Sequence, residues 1–197
     1  MERSALYRHA LAPIVISNGA LGTLAAVIGV LTSLDAPRAF LAYWMIVGLV
    51  AISGSFLLVR RQALKDAEPF WSPPTRRVAQ GLLPPLVAGG AIGLIVLARV
   101  AADEPAIVRV ITMLWLPLAW VVLYGCALCA AGFFMPRGIK LFGAAFIIGG
   151  CSLFALGIPD SLPRLYYAHG IMGFFFGVLH LAYGAYLYLT EKGKNAT

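Results

Sequence analysis

Acidic residues are scarce in this chain, and none lies where a transporter would need one. Asp and Glu number eight among 197 residues. They are Glu2, Asp35, Asp66, Glu68, Asp103, Glu104, Asp160 and Glu191, and all fall between or outside the long apolar stretches. Proton pumps and ion-coupled transporters usually keep a carboxylate at membrane depth as the relay. Its absence disfavours that class and leaves open a facilitator or a backbone-lined site. Loop cysteines are also missing. The three cysteines, Cys126, Cys129 and Cys151, sit in apolar runs, where cysteine commonly acts as a small buried filler. "CALC" at 126–129 therefore reads as packing, since redox use of C-x-x-C needs an accessible thiolate. No HExxH, no Ser/His/Asp set and no Gly-rich phosphate loop occurs, so no enzymatic activity is expected.

Charge of either sign is thin. Charged residues make up 12% of the chain and hydrophobic residues 61%, against about 25% charged in a soluble domain. The charges cluster, leaving 10–34, 39–59, 78–98, 110–136 and 165–190 uncharged, with 141–159 as a shorter sixth run. About 20 apolar residues suffice to cross a bilayer. The expected fold is all-α, a polytopic transmembrane bundle forming one domain over 1–197. Its six spans are expected at about 11–34, 39–59, 78–101, 110–134, 141–158 and 165–190. The longest polar stretch is 60–77, too short for a soluble domain. The first apolar run exceeds a signal-peptide core and no small-x-small site follows it, so it is expected to be a span.

The net charge of +7 does not point to nucleic acid in such a chain; its distribution does the informative work. Arg3, Arg8, Arg60, Arg61, Lys65, Arg76, Arg77, Arg137, Lys140, Lys192 and Lys194 fall in alternate segments, leaving only Arg38, Arg99, Arg109 and Arg164 on the other side. The positive-inside rule assigns the larger set to the cytoplasm. Both termini are then cytoplasmic, which fits six spans. The localisation expected is a bacterial inner (cytoplasmic) membrane.

Three features carry whatever function the chain has. The stretch "RRQALKDAEPFWSPPTRR", 60–77, sets Arg60, Arg61, Arg76 and Arg77 around Phe70 and Trp71. Arginines at this level meet anionic headgroups for about 1 kcal/mol each, and the Phe-Trp pair suits either the interface or a cytoplasmic partner. Prolines form the second feature. Pro84-Pro85 opens or kinks the third span, and Pro117 is a kink candidate in the fourth. The third is "GFFFGVLHLAYG", 173–184. At 100° per residue, Gly173, Gly177, His180 and Gly184 share a narrow arc, with His169 eleven residues earlier on nearly the same face. Small residues let helices approach in lipid. His180 is thus expected to face the interior, packed by these glycines against another span, neutral and hydrogen-bonded. Competing readings are a metal site with Cys126 and Cys151, or haem ligation. A lone histidine supports these weakly, so no metal and no cofactor are expected.

On "SPPTRRVAQGLLPPLVAGG", "LWLPLAWVVLYGCALCAAGFF" and "GFFFGVLHLAYG", the chain resembles a group of small uncharacterised bacterial polytopic membrane proteins. The matching residues are Ser72, Pro73, Pro74, Arg76, Arg77, Pro84, Pro85, Gly173, Gly177 and His180, within about residues 70–188. Such proteins are often encoded beside a small winged-helix transcription regulator, so the resemblance implies a cytoplasmic regulator as a candidate partner. It carries over no catalytic residue. The readings are then three. The first is a regulatory, sensing or scaffold protein of the inner membrane; the others are a small-molecule channel or facilitator near Pro84, Pro85 and His180, and a haem- or metal-binding electron-transfer subunit. Expected partners are the lipid bilayer, a cytoplasmic protein and a second copy of the chain, with no direct nucleic acid.

The charge asymmetry generates a test. A fluorescent reporter fused after Thr197 should mature in the cytoplasm, and a periplasm-dependent phosphatase inserted after Asp35 should be active. Activity of the phosphatase at Thr197 would invert the topology.

Overall fold

The computed structural model describes residues 5–67, 69–100, 111–135, 137–157 and 164–195. Asp103, Glu104, Arg109 and Asp160, the expected span limits at 101, 110 and 158, and Arg3, Glu68 and Thr197 lie outside the described residues. Every regular element among the described residues is helical. We label the helices α1 (Ala5–Leu31), α2 (Pro37–Lys65) and α3 (Pro73–Arg99). Helix α4 opens on a π-helical turn, Ile111–Trp115, and continues as Leu116–Ala131. Helix α5 is Arg137–Leu156. Helix α6 comprises Arg164–Met172, a π-helical segment Gly173–Val178, and Leu179–Asn195. Each of the six contains a stretch long and apolar enough to cross a membrane: Leu11–Leu31, Pro37–Lys65, Pro73–Arg99, Thr112–Ala131, Gly138–Leu156 and Tyr166–Thr190.

Local chemistry explains the ends. Pro37 and Pro73 start α2 and α3, where the missing N–H has no intrahelical partner. Helix α3 therefore begins eleven residues before Pro84 and runs through Pro84-Pro85. Pro117 sits at the start of the regular part of α4. Its ring cannot tolerate the ordinary placement of the Met113 carbonyl, and the preceding turn opens to π geometry. Helix α1 ends in a Schellman motif. Leu34 N–H donates to Gly29 O at 3.1 Å and Ser33 N–H to Val30 O at 3.1 Å, with Ser33 left-handed at φ 50°. That pair of bonds satisfies two end carbonyls.

The helices form two groups of three. In the first, α1 packs between α2 and α6; in the second, α4 packs between α3 and α5. Within each group backbones touch. A Cβ on Gly19 would lie 2.7 Å from Leu181 N, and one on Gly177 2.8 Å from Thr23 N. In the second group a Cβ on Gly143 would lie 2.8 Å from Cys129 N and from Gly125 O, and one on Gly81 2.9 Å from Ala131 N. Between groups the same test meets only side chains: Phe175 at Gly149, Tyr183 at Gly138, and Met45 at Gly93. An aromatic layer fills that seam. Phe142 stacks on Tyr183 with centroids 4.4 Å apart, and Phe146 meets both Phe175 and Phe176 at 5.4 and 5.8 Å.

Polar side chains pin the outer helices. Tyr43 O–H donates to Ala25 O at 2.8 Å, tying α2 to α1. Asn18 donates to Ser55 Oγ at 3.0 Å across the same pair. Trp120 Nε1–H donates to Gly89 O at 2.9 Å, tying α4 to α3. We refer to the end of the bundle carrying residues 66–72 as the link end, and the end carrying residues 32–36 as the turn end.

Substitutions on the two kinds of glycine should separate sharply. Gly177→Leu or Gly143→Leu should lower stability by about 1–3 kcal/mol or more through overpacking against backbone. Gly48→Leu and Gly90→Leu, where nothing lies within 4 Å of the new Cβ, should stay within about 0.5 kcal/mol. Thermal unfolding in detergent measures both.

Candidate functional site

His180 is 2% exposed and lies where α6 meets α4 and α5. Its Nδ1 is 2.9 Å from Phe175 O. A carbonyl only accepts, so Nδ1 carries the proton. Its Nε2 is 2.9 Å from Tyr124 Oη. In a neutral imidazole Nε2 is then bare, and Tyr124 O–H donates to it. Three phenylalanine rings enclose the pair, and the Tyr124 ring itself lies against the imidazole. Phe142 lies 5.1 Å from the His180 centroid, Phe146 and Tyr124 each 5.5 Å, and Phe176 6.1 Å.

A second buried histidine was not singled out as a site by sequence. His169 is fully buried at the turn end. Trp44 Nε1–H donates to its Nδ1 at 3.1 Å. Indole is a donor only, so Nδ1 is bare, and the proton sits on Nε2, aimed at Leu34 O with a long separation of 3.4 Å. His169 thus carries the opposite tautomer from His180. Its ring lies against Gly29, the residue whose carbonyl anchors the Schellman turn, and edge-on to Phe40 at 5.0 Å. Trp44 is 3% exposed, and its N–H finds this partner inside the bundle.

The two imidazoles do not share a face. His169 meets α1 and α2; His180 meets α4 and α5. Between them lies the π segment Gly173–Val178. Each π turn takes one residue more than an α-turn, so the 100° count drifts across it. Gly173, Gly177 and Gly184 approach Ala26, Thr23 and Ile16 of α1, while His180 turns to the aromatic layer. The glycines and His180 therefore serve different neighbours.

Metal and haem readings find little support in this arrangement. Both ring nitrogens of each histidine are engaged, and Cys126 and Cys151 are exposed on the outside of the bundle. Among the described residues, no three His, Cys, Asp or Glu side chains converge on a point. Pro84 is exposed and Pro85 half-buried on α3, which packs on α4 away from the His180 enclosure.

The 60–77 stretch is mostly helix. Helix α2 continues to Lys65 and α3 starts at Pro73, leaving 66–72 as the true link. Arg60, Arg61, Arg76 and Arg77 are exposed on those helix ends. Phe70 lies across Phe56 at 5.1 Å and stacks on Trp71 at 6.2 Å, and Trp71 is 59% exposed. Two clefts open on the surface of the described residues. One of about 200 Å³ lies between α1 and α2 beside Arg61 and Lys65; the other, of about 540 Å³, lies between α5 and α6 towards the turn end. Comparison of the chain with protein-family models, with curated proteins and with solved structures finds no match.

The His180–Tyr124 pair predicts a double-mutant result. Tyr124→Phe should cost about 0.6 kcal/mol and at most about 1.7, as interhelical hydrogen bonds in bilayers do. His180→Leu strands two polar groups and should cost about 1–3 kcal/mol. His180→Gln, which reaches Tyr124, and His180→Asn, which keeps the Phe175 bond, should fold nearly normally. Unfolding of the single and double variants in detergent gives the coupling energy; additivity would mean the bond contributes nothing.

Proposed function

We propose that this is a regulatory, sensing or scaffold protein of a bacterial inner membrane, without enzymatic activity, and that its link end faces the cytoplasm. Six apolar helices make it compatible with a multi-pass membrane protein. The observation that carries the finer reading is the link itself. Two peripheral helices extend past their apolar stretches and bring four exposed arginines around one short turn. On that turn Phe70 is fixed against Phe56 and holds Trp71 outward. Arginine pairs at this level hold the end at anionic headgroups. An indole propped up by a neighbouring ring is a pre-ordered aromatic contact, the kind that dominates protein interfaces. The partner that fits is a cytoplasmic protein.

A channel or facilitator centred on Pro84, Pro85 and His180 has less to recommend it. None of the three lines either cleft, and His180 is closed in by rings.

The docking reading is tested by cross-linking in cells. With a photo-reactive residue in place of exposed Gln80, a discrete protein adduct should form. Phe70→Ala with Trp71→Ala should abolish it while insertion stays normal. Replacing the four arginines with Gln should weaken or scramble topology. An adduct unchanged in the Phe70/Trp71 double variant would leave only lipid anchoring.

A further inference from the structure

We propose that the cleft between α1 and α2 at the link end is a binding site for an anionic glycerophospholipid, with the lipid phosphate between Arg61 and Lys65 and the start of one acyl chain against Leu58. The site rests on the reading that the link end meets anionic headgroups, and not on the docking of a protein at Phe70 and Trp71.

The cleft lies where the apolar part of α2 gives way to the polar part. Helix α2 carries no charge from Ala39 to Val59 and then continues as a helix to Lys65. Arg61, Gln62 and Lys65 follow Leu58 at helical spacing, so the four share one face. That face meets Pro13 of α1 across a space of about 200 Å³. From Leu58 to Lys65 is about 10 Å along the axis. Leu58 still belongs to the uncharged run, and the three polar side chains lie beyond it. What fits such a face is apolar at one end and anionic at the other. The Asn18–Ser55 bond, at 3.0 Å, closes the two helices on the inner side of the cleft. Pro13, Arg61 and Lys65 are exposed, so the mouth opens outward. The space is below the roughly 300 Å³ at which sites for whole small ligands begin. It takes the head region of a lipid and leaves the rest of the chains in the bilayer.

The polar groups specify the headgroup. Arg61 and Lys65 stand one turn apart and can hold one phosphodiester between them, the guanidinium through two parallel bonds. Among the described residues that line the cleft none is acidic. Asp66, just beyond it, is taken up by Gln62, whose Nε2 lies 3.1 and 3.0 Å from the two carboxylate oxygens. A carboxylate only accepts, so the amide nitrogen of Gln62 must face Asp66 and its Oε1 is left as an acceptor. An acceptor beside two cations suits a headgroup hydroxyl. A headgroup ammonium would instead be repelled by Arg61 and Lys65. The cleft therefore favours a net-anionic, hydroxyl-bearing headgroup over a zwitterionic one. The other described cations of this end are placed differently. Arg60, Arg76 and Arg77 line neither cleft, and Lys140 Nζ lies 3.5 Å over the Phe133 ring.

The test is native mass spectrometry of the purified full-length protein, released from detergent after titration with phosphatidylglycerol, phosphatidylcholine or inorganic phosphate. Phosphatidylglycerol should bind in preference to phosphatidylcholine. Arg61→Gln and Lys65→Gln should each weaken that binding about tenfold. Lys140→Gln removes one charge from the same end and should leave it unchanged. Pro13→Trp fills the cleft with every charge kept and restores a helical N–H. It should reproduce the loss even where the charge variants insert poorly. No preference in the unaltered protein would remove the headgroup reading of the link end together with the site. A preference that persists in Arg61→Gln, Lys65→Gln and Pro13→Trp would overturn the site alone and leave diffuse attraction to the arginines. Displacement of the lipid by inorganic phosphate at equal concentration would make the free anion the ligand and overturn the lipid assignment. The cross-link at Phe70 and Trp71 is decided separately from all of these.

Discussion

Backbone contact between helices, possible only where a side chain is absent, joins α1 to α6 and α4 to both α3 and α5, while side chains hold α2 to α1. In a bilayer no hydrophobic effect draws helices together, so close packing and polar contacts must. Gly19, Gly22 and Gly177 bring α1 and α6 into such contact, and Gly81, Gly125 and Gly143 do the same for α3, α4 and α5. Where no glycine faces a backbone, the helices stand apart and rings fill the space. The aromatic layer around His180 and the open groove near Gly170 are two outcomes of that one spacing: at the first the seam is filled by Phe142, Phe146 and Phe175, and at the second it is not.

The π segment of α6 adapts one helix to both kinds of neighbour. Its glycines must meet α1, its histidines must find partners on opposite sides, and consecutive Phe175 and Phe176 both reach Phe146. A regular helix separates successive side chains by 100° and holds a fixed register across the eleven residues from His169 to His180. The wider turn breaks that register. It also places the Phe175 carbonyl within reach of His180 Nδ1, so the irregular backbone and the buried imidazole stabilise each other.

Much of the architecture was legible from composition. Uncharged runs mark the six helices because a charge at membrane depth is costly, and Pro37 and Pro73 mark two helix starts by a purely local rule. The helical ends beyond the membrane were not legible that way. Arg, Gln, Ala, Leu and Lys are good helix formers, so the polar stretch after Val59 continues α2 instead of forming a loop. Burial of His180 could be read from its glycine neighbours, but its partner could not. Tyr124 had a usable signal: counting about 1.5 Å per residue from the same end puts it level with His180. What was missing was the side of α6 that His180 occupies, because periodicity assumes an α-helix throughout. The partner of Trp44 was not legible for a related reason. An indole near a span end has two ways to satisfy its N–H, and only the tertiary structure brings His169 within 3.1 Å.

The two buried histidines act at different places in this construction. His169 works within the first triplet, where it joins α6 to the end of α1 and to α2. His180 works across the seam, where its bond to Tyr124 joins α6 of the first triplet to α4 of the second. The exposed link end depends on that crossing. Arg60 and Arg61 ride on α2, which is fastened to α1, and Arg76 and Arg77 ride on α3, which is fastened to α4. Helices α2 and α3 touch each other only sparsely. The spacing of the two arginine pairs is therefore set by the short link 66–72 together with how α1 and α4 sit about α6, through the aromatic layer and the His180–Tyr124 bond inside it.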